Sequence, residues 1–162
     1  MNRIEENYWK SLCMEEEYVV MEPIKLDLSK PFIIEFPEFG DERGHLVIAE
    51  GMKNIPFDIK RIFYIYGSDN SVIRGQHANL KSQFMLINVA GTSKVKIDYG
   101  NSKTEIFNLD KPHIGLFIPR MIWKDMYDFS KDSVLLCLAD TTYDASEYIR
   151  DKNKYYEMIK KV

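Results

Sequence analysis

Val72-Ile73-Arg74-Gly75-Gln76-His77-Ala78-Asn79-Leu80-Lys81-Ser82-Gln83 sets one imidazole beside an Arg, a Lys and several amides, then runs into the apolar stretch Phe84–Val89. In extended backbone alternate residues share a face, so His77, Asn79 and Lys81 are expected to point one way, Gln76 and Ala78 the other. Gly75 permits backbone geometry closed to other residues just before the imidazole. A second polar cluster, Ile118-Pro-Arg120-Met-Ile-Trp123-Lys124, stands at another strand edge. Around these two segments the chain reads as short apolar stretches: 18–21, 32–36, 45–49, 60–66, 84–89, 93–98, 104–109, 115–118, 123–129 and 133–139. Turn residues separate them, among them Phe39-Gly-Asp41, Gly67-Ser-Asp-Asn70, Ala90-Gly91 and Asp110-Lys-Pro112. Val95-Lys-Ile-Asp98 alternates apolar and polar, as a strand with one wet face does. Many short strands with no helices between them predict an all-β sandwich or barrel.

Helical periodicity is confined to the ends. Residues 2–17 carry Ile4, Tyr8 and Leu12 at helical spacing, which predicts an N-terminal helical extension over 1–17. Residues 18–162 then form one domain that closes in a helical tail from Asp144 to Lys160, with Asp144 as N-cap and Glu147 as its capping-box partner. A chain of 162 residues suffices for one well-packed core. A net charge of -3 argues against a nucleic-acid binder, although Lys and Arg recur near the centre and allow a local anion site. Cys137 lies inside Val134–Ala139 and reads as a buried core thiol; no disulfide with Cys13 is expected. Met1–Lys10 is polar, and no run reaches the ~18 apolar residues of a membrane span. The expectation is a cytoplasmic protein with no membrane association.

The chemistry centres on His77. Its ordinary pKa near ~6.5 suits a general base for a proton made acidic by an adjacent ketone. Asn79 and Lys124 are the expected companions, Lys124 as an ammonium that stabilises an enolate. Arg74, with Lys81 or Arg120, suits a diphosphate, because guanidinium binds phosphate oxygens in a planar fork. Gln83 and Arg43 complete the polar candidates, while His45 reads as an exposed strand residue and His113 as structural. Trp123, Tyr127 and Tyr143 offer aromatic faces on which a nucleotide base could stack.

The places that hold metal in cupins correspond here to His77, Asn79, Gln83 and Lys124. Only the first is a good transition-metal ligand, so neither a metal nor another cofactor is expected. The chain resembles the WxcM-like cupins, sugar 3,4-ketoisomerases that act on dTDP-4-keto-6-deoxyglucose. The resemblance spans roughly residues 30–155. It is carried by Gly40-Asp-Glu-Arg-Gly-His-Leu46, Asn54-Ile-Pro-Phe57, Lys60-Arg-Ile-Phe-Tyr-Ile65, Arg74-Gly-Gln-His-Ala78, Trp123 with Met126-Tyr-Asp-Phe-Ser130, and Tyr143-Asp144 with Tyr148-Ile-Arg150. It implies a cupin jelly roll and a homodimer with exchanged N-terminal strands. It also implies a metal-independent shift of the ketone from carbon 4 to carbon 3, on the route to 3-amino sugars of surface glycans such as lipopolysaccharide.

Two positions depart from the family pattern. The motif resembled is Arg-Gly-x-His-Ala-His, whose last His is Asn79 here, and the residue after the Trp, commonly His or Arg, is Lys124. The expected chemistry has His77 take the carbon-3 proton, Lys124 and Asn79 steady the enediolate oxygens, and a proton return at carbon 4. Arg43 within Asp-x-Arg-Gly leans, by resemblance, towards a galacto-configured product. Two other readings stay open: an enzyme like the dTDP-sugar 3,5-epimerases, which resemble this arrangement in using one His, and a catalytically inactive nucleotide-sugar-binding cupin.

Overall fold

The computed structural model describes residues 27–100 and 102–160. The helix predicted over 2–17, the strand predicted over 18–21 and Cys13 lie outside these. Twelve strands are described: β1 (Phe32–Glu35), β2 (Glu38–Asp41), β3 (Gly44–Val47), β4 (Arg61–Tyr66), β5 (Arg74–Asn79), β6 (Phe84–Ala90), β7 (Ser93–Asp98), β8 (Thr104–Leu109), β9 (Ile114–Ile118), β10 (Trp123–Tyr127), β11 (Val134–Ala139) and β12 (Tyr148–Ile149). One helix, α1 (Lys152–Ile159), follows.

Two five-stranded antiparallel sheets, ordered β1-β9-β6-β11-β4 and β12-β5-β10-β7-β8, form a barrel-like sandwich, and β2-β3 makes a separate hairpin. From β4 onward the chain alternates between the sheets, and only β7 and β8 follow one another within the same sheet. This is the jelly-roll arrangement that the run of short strands predicts. Phe84 and Leu86 of β6 face the interior with Val95, Ile97, Leu116, Leu135 and Cys137. Met85 and Ile87 face the other way, against Phe36, Ile55, Phe57 and Phe117. β6 is thus covered on both faces, which explains why its sequence is continuously apolar rather than alternating. Each such fully buried aliphatic or aromatic side chain contributes roughly 1.5–3 kcal/mol.

Two strands were not legible from their sequences. β2 is exposed throughout and lacks any apolar alternation. β12 has two residues and exists because β5 offers its edge, Tyr148 pairing Asn79 and Ile149 pairing Ala78. At the C-terminal end Asp144 caps a short 3-10 turn, Ala145–Glu147, accepting from the Ser146 N–H. Glu147 is not its capping-box partner. The Glu147 carboxylate turns inward to accept the backbone N–H groups of Lys81 (3.1 Å) and Ser82 (2.9 Å) and the Ser82 hydroxyl. α1 has its own cap, Asp151, and packs Tyr155 against Trp123.

Candidate active site

β5 and β10 pair with one residue too many. Lys124 lies opposite His77 and Asp125 opposite Gly75, so Gln76 is the extra residue of a β-bulge. Gln76 (φ 54°) and Gly75 (φ 82°) both adopt the left-handed region. A Cβ at Gly75 would lie 2.6 Å from the Lys124 carbonyl oxygen, so only glycine fits. The bulge turns His77 onto the face shared with Lys124 and Asn79, at the end of the interior where β6 begins.

These side chains belong to a ring of contacts. The His77 imidazole packs on Tyr148 (centroids 4.8 Å) and Tyr148 on Tyr143 (5.9 Å). The Arg61 guanidinium stands over Tyr143 (5.6 Å) and over Phe63 (5.3 Å). Phe63 meets Phe84 edge-on at 6.3 Å, and the Lys124 ammonium sits 4.7 Å above Phe84. Lys124 Nζ donates to Asn79 Oδ1 at 2.7 Å, which returns the ring to β5.

Hydrogen bonding within the ring is left incomplete. Asn79 is 1% exposed, yet among the described residues no acceptor meets its Nδ2, nor the buried Nε and Nη2 of Arg61. A buried N–H without a partner costs about 1–3 kcal/mol, so three of them at one place mark a surface shaped for an acceptor that is a ligand. His77 Nδ1 lies 2.8 Å from the Gly75 carbonyl, which can only accept. Nδ1 therefore carries the hydrogen, and Nε2 keeps a free lone pair.

Charge is tuned in the same direction. Burial, then the nearby Lys124 cation, pushes the His77 pKa down to about 4, so the imidazole is neutral and able to accept a proton at pH 7. Burial lowers Lys124 to about 7. Cys137 beside it is pushed up to about 12 by burial and stays a neutral thiol. Burial would raise the Glu147 pKa, but the donors from Ser82 and Lys81 outweigh it and hold the carboxyl below its ordinary value.

The structure brings together three of the sequence-derived residues, His77, Asn79 and Lys124, and spreads out the rest. Lys81 does not share their face: β5 ends at Asn79, and Lys81 is exposed with its Nζ 3.7 Å from Asp144. Arg120 is half-occupied, its guanidinium donating to Asp140 (2.8 Å) and to the Lys81 carbonyl. Gln83 is partly buried, and its backbone N–H donates to Asp140 at 2.9 Å. Arg74 is exposed and weakly held, with Nε 3.4 Å from the Ser68 hydroxyl. Arg43 pairs with Asp41 in the exposed β2–β3 hairpin. Trp123 points to the outer face, opposite to its neighbour Lys124, and lines an open cleft with Gly75, Gln76, Asp125, Arg150 and Lys152. Tyr127 is partly buried at the far end of β10. Sequence reasoning missed Arg61 and Tyr148. Alternation puts Arg61 on the same face of β4 as Phe63 and Ile65, but gives no local sign that its guanidinium turns under Tyr143.

The sequence matches the profile of the family FdtA, WxcM-like C-terminal, over residues 29–160. The chain belongs to this family. It is 40% identical over 130 residues to the TDP-4-oxo-6-deoxy-alpha-D-glucose-3,4-oxoisomerase of Aneurinibacillus thermoaerophilus, covering 80% of this chain and 93% of that one. Among solved structures it resembles a His-to-Asn mutant of the 3,4-ketoisomerase QdtA from Thermoanaerobacterium thermosaccharolyticum, in complex with TDP-4-keto-6-deoxyglucose. The TM-score is 0.79 and the identity 36%, over 82% of this chain and 95% of that one. WlaRA, the TDP-fucose-3,4-ketoisomerase of Campylobacter jejuni, gives a TM-score of 0.74 at 41% identity, over 79% and 94% of the two chains.

Proposed function

We propose that this chain is a dTDP-sugar 3,4-ketoisomerase that moves the ketone of dTDP-4-keto-6-deoxyglucose from carbon 4 to carbon 3. Of the readings that the sequence left open, family membership selects this one over a 3,5-epimerase. The observation that carries the chemistry is the His77 imidazole, neutral and with Nδ1 committed to the Gly75 carbonyl, standing opposite Lys124 and beside the Asn79 amide nitrogen that no described residue accepts from. The carbon-4 ketone acidifies the proton on carbon 3. His77 takes that proton and later delivers it to carbon 4. Charge that develops on the two sugar oxygens meets Lys124 Nζ and Asn79 Nδ2 in a site walled by Phe84, Phe63 and Tyr148, where low polarity strengthens each contact.

Arg74 is the best-placed sequence-derived cation for the diphosphate, because its guanidinium is exposed and, among the described residues, holds only one long hydrogen bond. Lys81, Arg120 and Arg43 already face carboxylates and would have to exchange partners. Tyr143, 67% exposed at the rim, is better placed to stack on thymine than Trp123, whose ring is packed against Tyr155. The same reading places the enzyme on a route to 3-amino sugars of surface glycans, as a homodimer that exchanges N-terminal strands. Edge strand β4 supports that assembly, because it leaves Ile62, Tyr64 and Tyr66 more than half exposed. The test of the activity is direct: purified protein is incubated with dTDP-4-keto-6-deoxyglucose, and the products are read by carbon NMR. A new carbonyl resonance at carbon 3 supports the reading; unchanged substrate, or inversion at carbons 3 and 5 with the ketone still at carbon 4, overturns it.

A further inference from the structure

Moving a ketone between neighbouring carbons relocates two hydrogens: one passes from carbon 3 to carbon 4, the other from the oxygen on carbon 3 to the oxygen on carbon 4. His77 has a single free nitrogen, because Nδ1 is committed to the Gly75 carbonyl. While Nε2 holds the carbon proton it cannot also serve the oxygens.

Resting on the ketoisomerase reading, we infer that Lys124, held in place by Asn79, carries the second proton between the two sugar oxygens. Lys124 stands opposite His77 on the adjoining strand and is 3% exposed. Its hydrogen-bond partner is the Asn79 amide oxygen, an acceptor that cannot take the proton. The groups facing it are His77 from β5, Cys137 from β11, Glu147 from the turn before β12, and Arg61 from β4, which acts on Cys137. The other three beside His77 are poorly suited to the task. Cys137 stays protonated, Glu147 is occupied by the Ser82 and Lys81 donors, and Arg61 does not release a proton. Burial leaves the Lys124 amine close to half-protonated at neutrality, the condition in which one group both gives and takes a proton readily.

The step balances. As the carbon-3–hydrogen bond breaks to His77 Nε2, its electron pair forms the carbon 3–carbon 4 double bond. The carbon-4 carbonyl pair moves onto oxygen, which takes a proton from the Lys124 ammonium. The neutral amine then takes the proton from the hydroxyl on carbon 3. That oxygen's pair forms the new carbonyl, and the double-bond pair takes the proton from His77 at carbon 4. Both side chains finish as they began.

The productive free enzyme has His77 neutral and Lys124 charged, so kcat/KM should fall as pH rises through about 7. The experiment follows wild type, Lys124→Arg and Tyr148→Phe across pH, with dTDP binding by calorimetry as the check on folding. Arginine keeps the charge and the donors but does not give up a proton near neutrality. The expected result is a Lys124→Arg turnover about 100-fold or more below wild type, with the alkaline fall absent and dTDP affinity within 3-fold. Tyr148→Phe, which removes the hydroxyl of the ring packed on His77 and keeps the ring, should keep the alkaline fall. A Lys124→Arg turnover within 3-fold of wild type would show that Lys124 is only a fixed cation. A wild-type profile with no ionisation near 7 overturns the inference without any variant. If wild type gives no 3-keto product at any pH, the ketoisomerase reading fails instead.

Discussion

Two asparagines buried in the same interior are treated in opposite ways. Asn88, on the inward face at the far end of β6, is 0% exposed and fully engaged. Its Nδ2 donates to the Ala90 carbonyl (2.5 Å) and to Ser133 Oγ (3.1 Å), and its Oδ1 accepts from Ser93 Oγ at 2.6 Å. Asn79, at the end where β6 begins, holds Lys124 with its oxygen, and among the described residues its nitrogen meets no acceptor. The first closes a polar knot between β6, β7 and the start of β11, and stabilises the fold. The second sits among a guanidinium with two nitrogens unmet by any described residue, a buried amine and a neutral imidazole. Burial is equal, so burial does not separate structure from function here. The completeness of hydrogen bonding does.

The largest effect falls on the incomplete end. His77→Asn should lower turnover by about 100- to 10,000-fold, with dTDP affinity changed by a few-fold at most, measured by steady-state kinetics and calorimetry. Arg61→Met should also reduce kcat/KM, by about 10- to 100-fold. It should leave thermal stability equal or higher, because the guanidinium Nε and Nη2 lose no partner. A fall in stability would show Arg61 to be structural and would weaken the contrast.

Asn88→Ala should do the reverse. It strands Ser93, Ser133 and the Ala90 carbonyl, and should cost about 1–3 kcal/mol in urea unfolding while the folded variant keeps the wild-type kcat. Lys124→Met sharpens the same contrast with a smaller readout. The folded-state pKa of Lys124 lies near 7, below the 10.5 of the unfolded chain, so between those values the unfolded chain binds the extra proton. Wild-type stability then rises with pH across that window, and the cost of burying the amine is present below it. Methionine removes that cost: at pH 7 the melting temperature should rise by about 3 °C, and its rise between pH 7 and 10 should flatten. The smallest expected effect is none at all. Exhaustive chelation should leave turnover unchanged, because His77, Asn79, Gln83 and Lys124 offer one good ligand. Lost activity that a single metal restores would refute this.

How much of this was readable in the sequence follows from the same physics. Apolar stretches bounded by turn residues disclosed β4, β6, β7, β8, β9 and β11, because burial imposes a pattern on neighbouring residues. β12 was hidden because its pairing comes from β5 and not from its own two residues. The sharing of a face by His77 and Asn79 was visible in their spacing, and Gly75 signalled unusual backbone beside them. Lys81 was misplaced because alternation was extended past the end of β5, where the chain turns towards Glu147. Arg61 was missed for a different reason. Nothing local distinguishes a guanidinium that pairs on the surface from one that folds under Tyr143 with two nitrogens unmet. That difference is made by residues eighty positions away.

The central claim is that the incomplete end of the barrel is where protons move, with His77 carrying the one on carbon. Proton NMR of wild-type protein with dTDP-4-keto-6-deoxyglucose in heavy water tests it most directly. Where the proton on His77 Nε2 exchanges with solvent before it is returned, the account predicts deuterium at carbon 3 of recovered substrate and at carbon 4 of product, with both signals lost in His77→Asn. Undiminished deuterium incorporation by the folded His77→Asn protein would contradict it.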